Sequence, residues 1–172
     1  KCVGASKKMS PDVVIEVISP DFRGNLNHLD VLLESGLDVF SQNIETVERL
    51  THPVRDPRAG YQQTLKMLRH SSDRGFLCKS GMMLGLGENK DEVIKTMSDL
   101  FNNGVKILTL GQYLRPTINH LPVKKYIHPD EFSEYSHIGM EIGIEEVVAG
   151  PLIRSSYRAD RAFMKIESNK NV

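Results

Sequence analysis

Cysteine is scarce in this chain: only Cys2 and Cys78 occur among 172 residues, and they stand far apart. So few thiols exclude a disulfide framework and any metal site built from closely spaced cysteines. Cys78 lies in an apolar run and reads as a buried thiol. Net charge is missing too, because 22 basic residues match 22 acidic ones. A balanced chain offers no electrostatic case for nucleic acid or an anionic membrane as partner. No apolar run approaches the roughly 18 residues that a membrane span needs. No signal-peptide pattern is present, although the chain begins at Lys1 rather than a methionine, which leaves a targeting segment open. Tandem repeats and low-complexity tracts are absent. The histidines (His28, His52, His70, His120, His128 and His137) form no His-X-X-X-His pair and no His-X-Glu pattern. They read as solvated or packed side chains rather than metal ligands or bases.

What is there is a regular alternation. A hydrophobic fraction of 40% suffices for one core. The β-branched run Val13-Val14-Ile15-Glu16-Val17-Ile18 predicts a strand. Residues 25–35 place Leu26, Leu29, Leu32 and Leu33 on one helical face, with Gly36 as the stop. Asp38-Val39-Phe40 predicts a short strand, residues 59–70 a helix, and residues 76–84 a strand. Residues 89–103 predict the clearest helix, with acids in its first turn and Gly104 at its end. Residues 105–110 predict a strand, residues 129–142 a helix opened by proline, and residues 145–148 a last strand. Such alternation argues for parallel βα units. It fits an open doubly wound sheet and a (β/α) barrel equally.

The unusual residues follow the strands. They are Asp21-Phe22-Arg23-Gly24, Gln42-Asn43-Ile44-Glu45, Gly85-Leu86-Gly87-Glu88, Gly111-Gln112-Tyr113 and Arg154-Ser155-Ser156-Tyr157. In parallel α/β folds these loops emerge on one face, the face that carries the active site. The sequence therefore proposes a single polar site assembled from five loops.

Taken singly, the motifs are weak. Ser80-Gly81-Met82-Met83-Leu84-Gly85-Leu86-Gly87-Glu88 lets a ligand approach the backbone near a helix N-terminus. It is neither a dinucleotide fingerprint nor a P-loop, and a ligand-free glycine turn is the plainer reading. Asn43 and Glu45 suit the hydroxyl, amine or carboxylate groups of a small ligand, but Glu45 in the first turn of a following helix is the plainer reading of the sequence. Arg55 and Arg58 either clamp a carboxylate or are solvated. Arg154-Ser155-Ser156-Tyr157 could be an ST-turn, and without a Gly-X-Ser-X-Gly elbow it is no serine-hydrolase site.

In order and spacing, the motifs resemble lipoyl synthase over nearly the whole chain. They are Pro20-Asp21-Phe22-Arg23-Gly24, Gln42-Asn43-Ile44-Glu45-Thr46-Val47, Val54-Arg55-Asp56-Pro57-Arg58-Ala59, residues 79–88, residues 108–116 and residues 150–157. The resemblance implies a partial (β/α) barrel of the radical S-adenosylmethionine (SAM) type. It implies SAM and two [4Fe-4S] clusters in the complete enzyme. One cluster donates an electron to SAM, and the resulting 5′-deoxyadenosyl radical takes hydrogens from C6 and C8 of an octanoyl chain. The second cluster is the sulfur donor. The octanoyl chain sits on a lysine of a lipoyl carrier domain, either a 2-oxoacid dehydrogenase E2 or a glycine cleavage H protein. A ferredoxin or flavodoxin would supply electrons. By the same resemblance Asn43, Glu45, Lys79, Ser80, Gly81, Gly85, Gly87 and Gln112 are expected to bind SAM. Arg154 and Tyr157 are expected to be catalytic, and Ser156 to be a cluster ligand.

The family's two cysteine triplets are missing from this chain. The expectation is therefore the C-terminal part of a longer protein, with residues 1–149 as barrel units and 150–172 as a terminal extension. Alone, this piece is expected to be inactive and to hold no stable cluster. The rival readings are a non-catalytic relative and an α/β nucleotide-binding module without iron. The wording of the Arg-Asp-Pro-Arg-Ala-Gly-Tyr and Arg-Ser-Ser-Tyr-Arg-Ala segments resembles plastid-type forms, with mitochondrial or bacterial cytoplasmic origin as alternatives.

Overall fold

A computed structural model of the chain describes residues 1–156. Its elements in chain order begin with α1 (Cys2–Met9), β1 (Glu16–Ile18), α2 (Leu26–Leu33), β2 (Val39–Ser41), α3 (Thr51–Val54) and α4 (Tyr61–Asp73). There follow β3 (Leu77–Leu84), α5 (Lys90–Asn102), β4 (Val105–Gln112), α6 (Pro129–Ile142) and β5 (Glu146–Gly150). Among the described residues the strands form one parallel sheet in the order β1-β2-β3-β4-β5.

That order separates the two architectures that periodicity left level. A doubly wound sheet reverses direction at a switch point. Here every strand is added beside its predecessor, without reversal. Crossovers between parallel strands are almost always right-handed, so strands added in chain order place their helices on one face. The fold is an open segment of a (β/α) barrel.

Side chains alternate across each strand. One set, including Phe40, Cys78, Met82, Leu84, Leu108, Leu110 and Val147, packs with Leu29, Leu33, Leu68, Val93, Met97, Leu100 and Phe132 from the helices. The other set faces away from the helices and carries Ser41, Lys79, Gly81 and Thr109. Register brings Ile18, Ser41, Lys79, Ile107 and Glu146 level across all five strands.

The helix ends follow local chemistry. Asn25 caps α2 by accepting from the Asn27 and His28 N–H groups. Asn89 and Glu92 form a reciprocal capping box on α5. Such a cap contributes about 1 kcal/mol. Pro129 opens α6, and Gly143, at φ 116°, closes it.

Several expected bounds shift. The strand expected from Val13 begins only at Glu16, because its partner β2 is three residues long. Helix α4 runs to Asp73, beyond the expected residue 70. Strand β4 runs to Gln112 rather than stopping at Leu110, since Gly111 pairs with Gly150 of β5.

Candidate functional site

Two adjoining cavities lie at the C-terminal ends of the strands. The larger, about 430 Å³, is lined by Ser19 to Arg23 after β1, by Gln42, Asn43 and Glu45 after β2, and by Arg55, Asp56, Arg58 and Ala59. The smaller, about 170 Å³, is lined by Asn43 and Glu45 again, by the end of β3, by Thr109, Gly111, Gln112 and Leu114, and by Ile153, Arg154 and Ser155. Asn43 and Glu45 form the partition between them. Four of the five expected loops thus meet, together with the last residues of β3.

Backbone geometry sets that partition. The Glu45 N–H donates to Gly81 O at 3.0 Å, and Glu45 O accepts from Met83 N–H at 2.9 Å. This single bridge to β3 leaves Glu45 at φ 67°. A left-handed non-glycine residue costs on the order of 1 kcal/mol or more, and such strain gathers at functional sites. Burial raises the Glu45 carboxyl above its ordinary pKa, against an opposing hydrogen bond from Asn43. Asn43 Oδ1 and Gln42 Oε1, on residues that line the larger cavity, are buried without a hydrogen-bond partner among the described residues. Buried polar atoms rarely stay unpaired, so these mark a place for a ligand or water.

Glycines set the approach distances. A Cβ on Gly81 would lie 2.8 Å from Thr109 Oγ1 and 2.9 Å from Asn43 Oδ1. One on Gly111 would lie 2.3 Å from Ile153 O. Glycine at 111 therefore allows the segment after β5 to close onto β4 and brings Arg154 and Ser155 into the smaller cavity.

The expected ligand residues separate into groups. Asn43, Glu45, Gly81, Gln112 and Arg154 line the cavities. Ser80 does not: period-two alternation turns it to the helix side, where its buried hydroxyl accepts the Ile44 N–H at 3.1 Å. The Gly85-Leu86-Gly87 turn also falls outside both cavities. Its Gly85 and Leu86 amides donate to Glu88, at 2.5 and 3.0 Å, so a carboxylate from the chain itself fills that cradle. Lys79 is 1% exposed, and its Nζ lies 3.0 and 2.8 Å from the two oxygens of Glu16. The Gln112 amide is engaged by Tyr113 O, Lys125 O and the Ile127 N–H, which ties down the long loop after β4. Ser156 is exposed, and Tyr157 lies outside the described residues.

The arginine segment divides as well. Arg58 binds Asp56 through two nitrogens at the surface and holds that carboxyl far below its usual range. Arg55 is largely buried and reaches Asp21 at 3.2 Å. Asp21 also accepts from Gln42 and from Thr64. Sequence reasoning did not assign this cluster. Asp21, Gln42 and Arg55 stood in separate motifs, and Thr64 was a polar residue inside the apolar stripe of Tyr61, Leu65 and Leu68, but nothing in their spacing joined the four.

The donor set discriminates between cofactors. Cys78 is fully buried on the helix side, its Sγ 3.5 Å from Leu68 O and Phe76 O, and burial pushes the thiol up to about 12. Cys2 is exposed on α1. Among the described residues no three His, Cys, Asp or Glu side chains gather as a metal site. Iron–sulfur clusters need several thiolates each, so the described residues do not fit one. An adenosyl sulfonium ligand fits better. The carboxylate of Glu45 suits a cation, and the unpartnered acceptors at Asn43 and Gln42 suit hydroxyl and amine donors.

The sequence profile of the Radical SAM superfamily matches residues 4–100. This chain belongs to the radical SAM superfamily. Within that class it is similar to lipoyl synthases: 56% identical over 167 residues to that of Legionella pneumophila, covering 96% of this chain and 51% of the relative. Against the lipoyl synthase of Marinobacter nauticus it is 54% identical over 166 residues, covering 95% of this chain and 48% of the relative. The chain thus spans about half the length of these curated relatives. Among solved structures, the crystal structure of methylornithine synthase superposes with a TM-score of 0.62 at 11% identity, covering 99% of this chain and 64% of the other. That likeness shows the fold alone.

The relatives also overturn the plastid-type reading. Those from Marinobacter, Legionella, Thermus and Deinococcus are all bacterial. Bacterial relatives are 48–56% identical over nearly the whole chain, so the wording of these segments carries no organellar address.

Proposed function

We propose that this chain is the SAM-binding and substrate-facing part of a lipoyl synthase, with residues 1–149 forming barrel units and 150–172 a terminal extension. The observation that carries the reading is the partition between the two cavities. There a buried carboxylate and an unpartnered amide oxygen stand side by side on a strained backbone.

SAM, when bound with a reduced [4Fe-4S] cluster, supplies hydrogen-abstracting chemistry, and a second cluster supplies sulfur. The chain's own residues bind and orient. Glu45 and Asn43 face the hydroxyls and the positive end of SAM. Gly81, kept bare by its neighbours, lets the ligand lie against β3. Lys79 and Glu16 neutralise each other and form a rigid floor beneath the site. Gln112 positions the loop after β4. Arg154, with Ser155, lines the second cavity and faces the anionic side of a substrate or cluster. Ser156 remains the candidate cluster ligand and Tyr157 a second candidate catalytic residue. The substrate is an octanoylated lipoyl carrier domain, and the reductant a ferredoxin or flavodoxin. Cluster thiolates would come from outside this chain, so the 172-residue piece alone is inactive.

Calorimetric titration of the chain with SAM tests the reading. Binding is expected, with Glu45→Gln and Asn43→Ala each weakening it about tenfold, the loss of one charge-assisted or buried hydrogen bond. Binding that is absent, or unchanged in both variants, would sink it.

A further inference from the structure

Three consecutive residues after β1 lie in the left-handed region: Phe22 at φ 44°, Arg23 at φ 53° and Gly24 at φ 71°. For Phe22 and Arg23, which carry a Cβ, this conformation is strained. Phe22 and Arg23 both line the larger cavity. A turn under such strain persists only where its surroundings over-determine it.

The surroundings converge on Asp21. Its carboxylate is 9% exposed. It accepts from Gln42 Nε2 on the loop after β2, from Thr64 Oγ1 on α4 at 3.1 Å, and from Arg55 Nη2 at 3.2 Å. Arg55 Nη1 also donates to Thr64 Oγ1 at 2.9 Å, which closes the ring. On the other side, Gly24 N–H donates to Asp21 O at 2.8 Å, and Asn25 N–H donates to Phe22 O at 3.1 Å. The same residue thus closes the strained turn through its carbonyl and grips Gln42, the residue just before Asn43, through its carboxylate. A carboxylate with three donors in a nearly dry setting is held far more firmly than one at the surface.

We propose that Asp21 is a positioning residue, holding the left-handed turn and the Gln42–Glu45 strap at a fixed separation across the larger cavity. It need not touch the ligand. It sets the gap between Arg23 on one wall and Asn43 and Glu45 on the other. The effect on SAM rests on the functional reading above, whereas the effect on the two segments does not.

The test uses the full chain and a residue remote from the cavity. Thr64 is buried on α4 and does not line either cavity. Thr64→Val removes the hydroxyl at constant shape, Thr64→Ser restores it, and Asp21→Asn removes the charge. Hydrogen exchange is followed by mass spectrometry, with SAM affinity measured alongside. Thr64→Val and Asp21→Asn are expected to speed exchange at residues 22–25 and 42–45 at least tenfold, leaving α5 and β4 unchanged. SAM affinity should fall at least fivefold, and Thr64→Ser should return both to the wild-type values. Unchanged exchange in both segments, or a uniform increase over the whole chain, would overturn the proposal. Local acceleration in a chain that binds no SAM even as wild type would uphold the positioning role and reject the ligand instead.

Discussion

Lys79 on β3 and Glu16 on β1 meet across β2, with Nζ 3.0 and 2.8 Å from the two carboxylate oxygens. Lys79 is buried and Glu16 nearly so. Breaking such a pair strands a charge where water cannot reach it. Glu16→Gln is expected to destabilise the chain by about 3 kcal/mol. The double variant Glu16→Gln with Lys79→Met should recover most of that loss, because no lone charge remains. Urea unfolding of the three proteins checks this; a double variant as unstable as Glu16→Gln alone would contradict it.

Glu45 gives a pH signature. Its carboxyl is raised above the ordinary value, mainly by burial. The folded chain therefore holds this proton more tightly than the unfolded chain does. That contribution to stability is full below the ordinary glutamate value, about 4.3, and is lost as pH rises through the higher folded value. The stability of wild type minus that of Glu45→Gln should fall with rising pH across this interval. Urea midpoints measured in small pH steps would show it, and a flat difference would refute it. Affinity for a cationic ligand should move the opposite way, increasing as the carboxyl ionises.

Two glycines with positive φ separate strain from crowding. Gly75, at φ 86°, has open space where a Cβ would sit. Gly75→Ala should cost only about 1 kcal/mol, the backbone term. Gly85, at φ 106°, would place a Cβ 2.3 Å from Gln112 Nε2 and 2.4 Å from Lys125 O. Gly85→Ala should cost at least about 3 kcal/mol, since overpacking adds to the backbone term. It should also loosen the loop after β4, measurable as faster proteolysis between residues 113 and 127.

The thiols should differ sharply. Cys2 is exposed, whereas Cys78 is buried with its thiol pushed up to about 12. A neutral, inaccessible thiol is a poor nucleophile. Iodoacetamide at pH 8 should label Cys2 within minutes and Cys78 only after unfolding. Mass spectrometry of the tryptic peptides resolves the two.

Much of the architecture was legible because burial imposes a period. Helix α6 was expected over residues 129–142 and runs from Pro129 to Ile142. Proline at its start and glycine after its end bracket it. Helix α1 was not expected, since it buries none of its residues and so leaves no apolar stripe. Helix α3 is a single turn, too short for any period to show. At the site, clustering after strand ends pointed to the face on which the two cavities lie and to Asn43 and Glu45, which line both. It could not foresee that Glu88 would fill the Gly85 turn, or that Ser80 would turn inward. Both depend on which side of β3 a residue faces and on distances that spacing does not encode. Asp21 belonged to a named motif, but its three donors are scattered between residues 42 and 64, so only the folded chain joins them.

The uninterrupted strand order has a consequence for biosynthesis. Among the described residues each strand from β2 onward pairs with the one made just before it, so none of these pairings waits for a distant partner. The helix-side core can assemble unit by unit as the chain leaves the ribosome. The cavities cannot, because Asn43 on the second unit and Arg154 beyond the fifth meet only after all five units have been made. A stalled or shortened chain would therefore keep much of its packing while lacking the closed wall, and would be stable before it was competent.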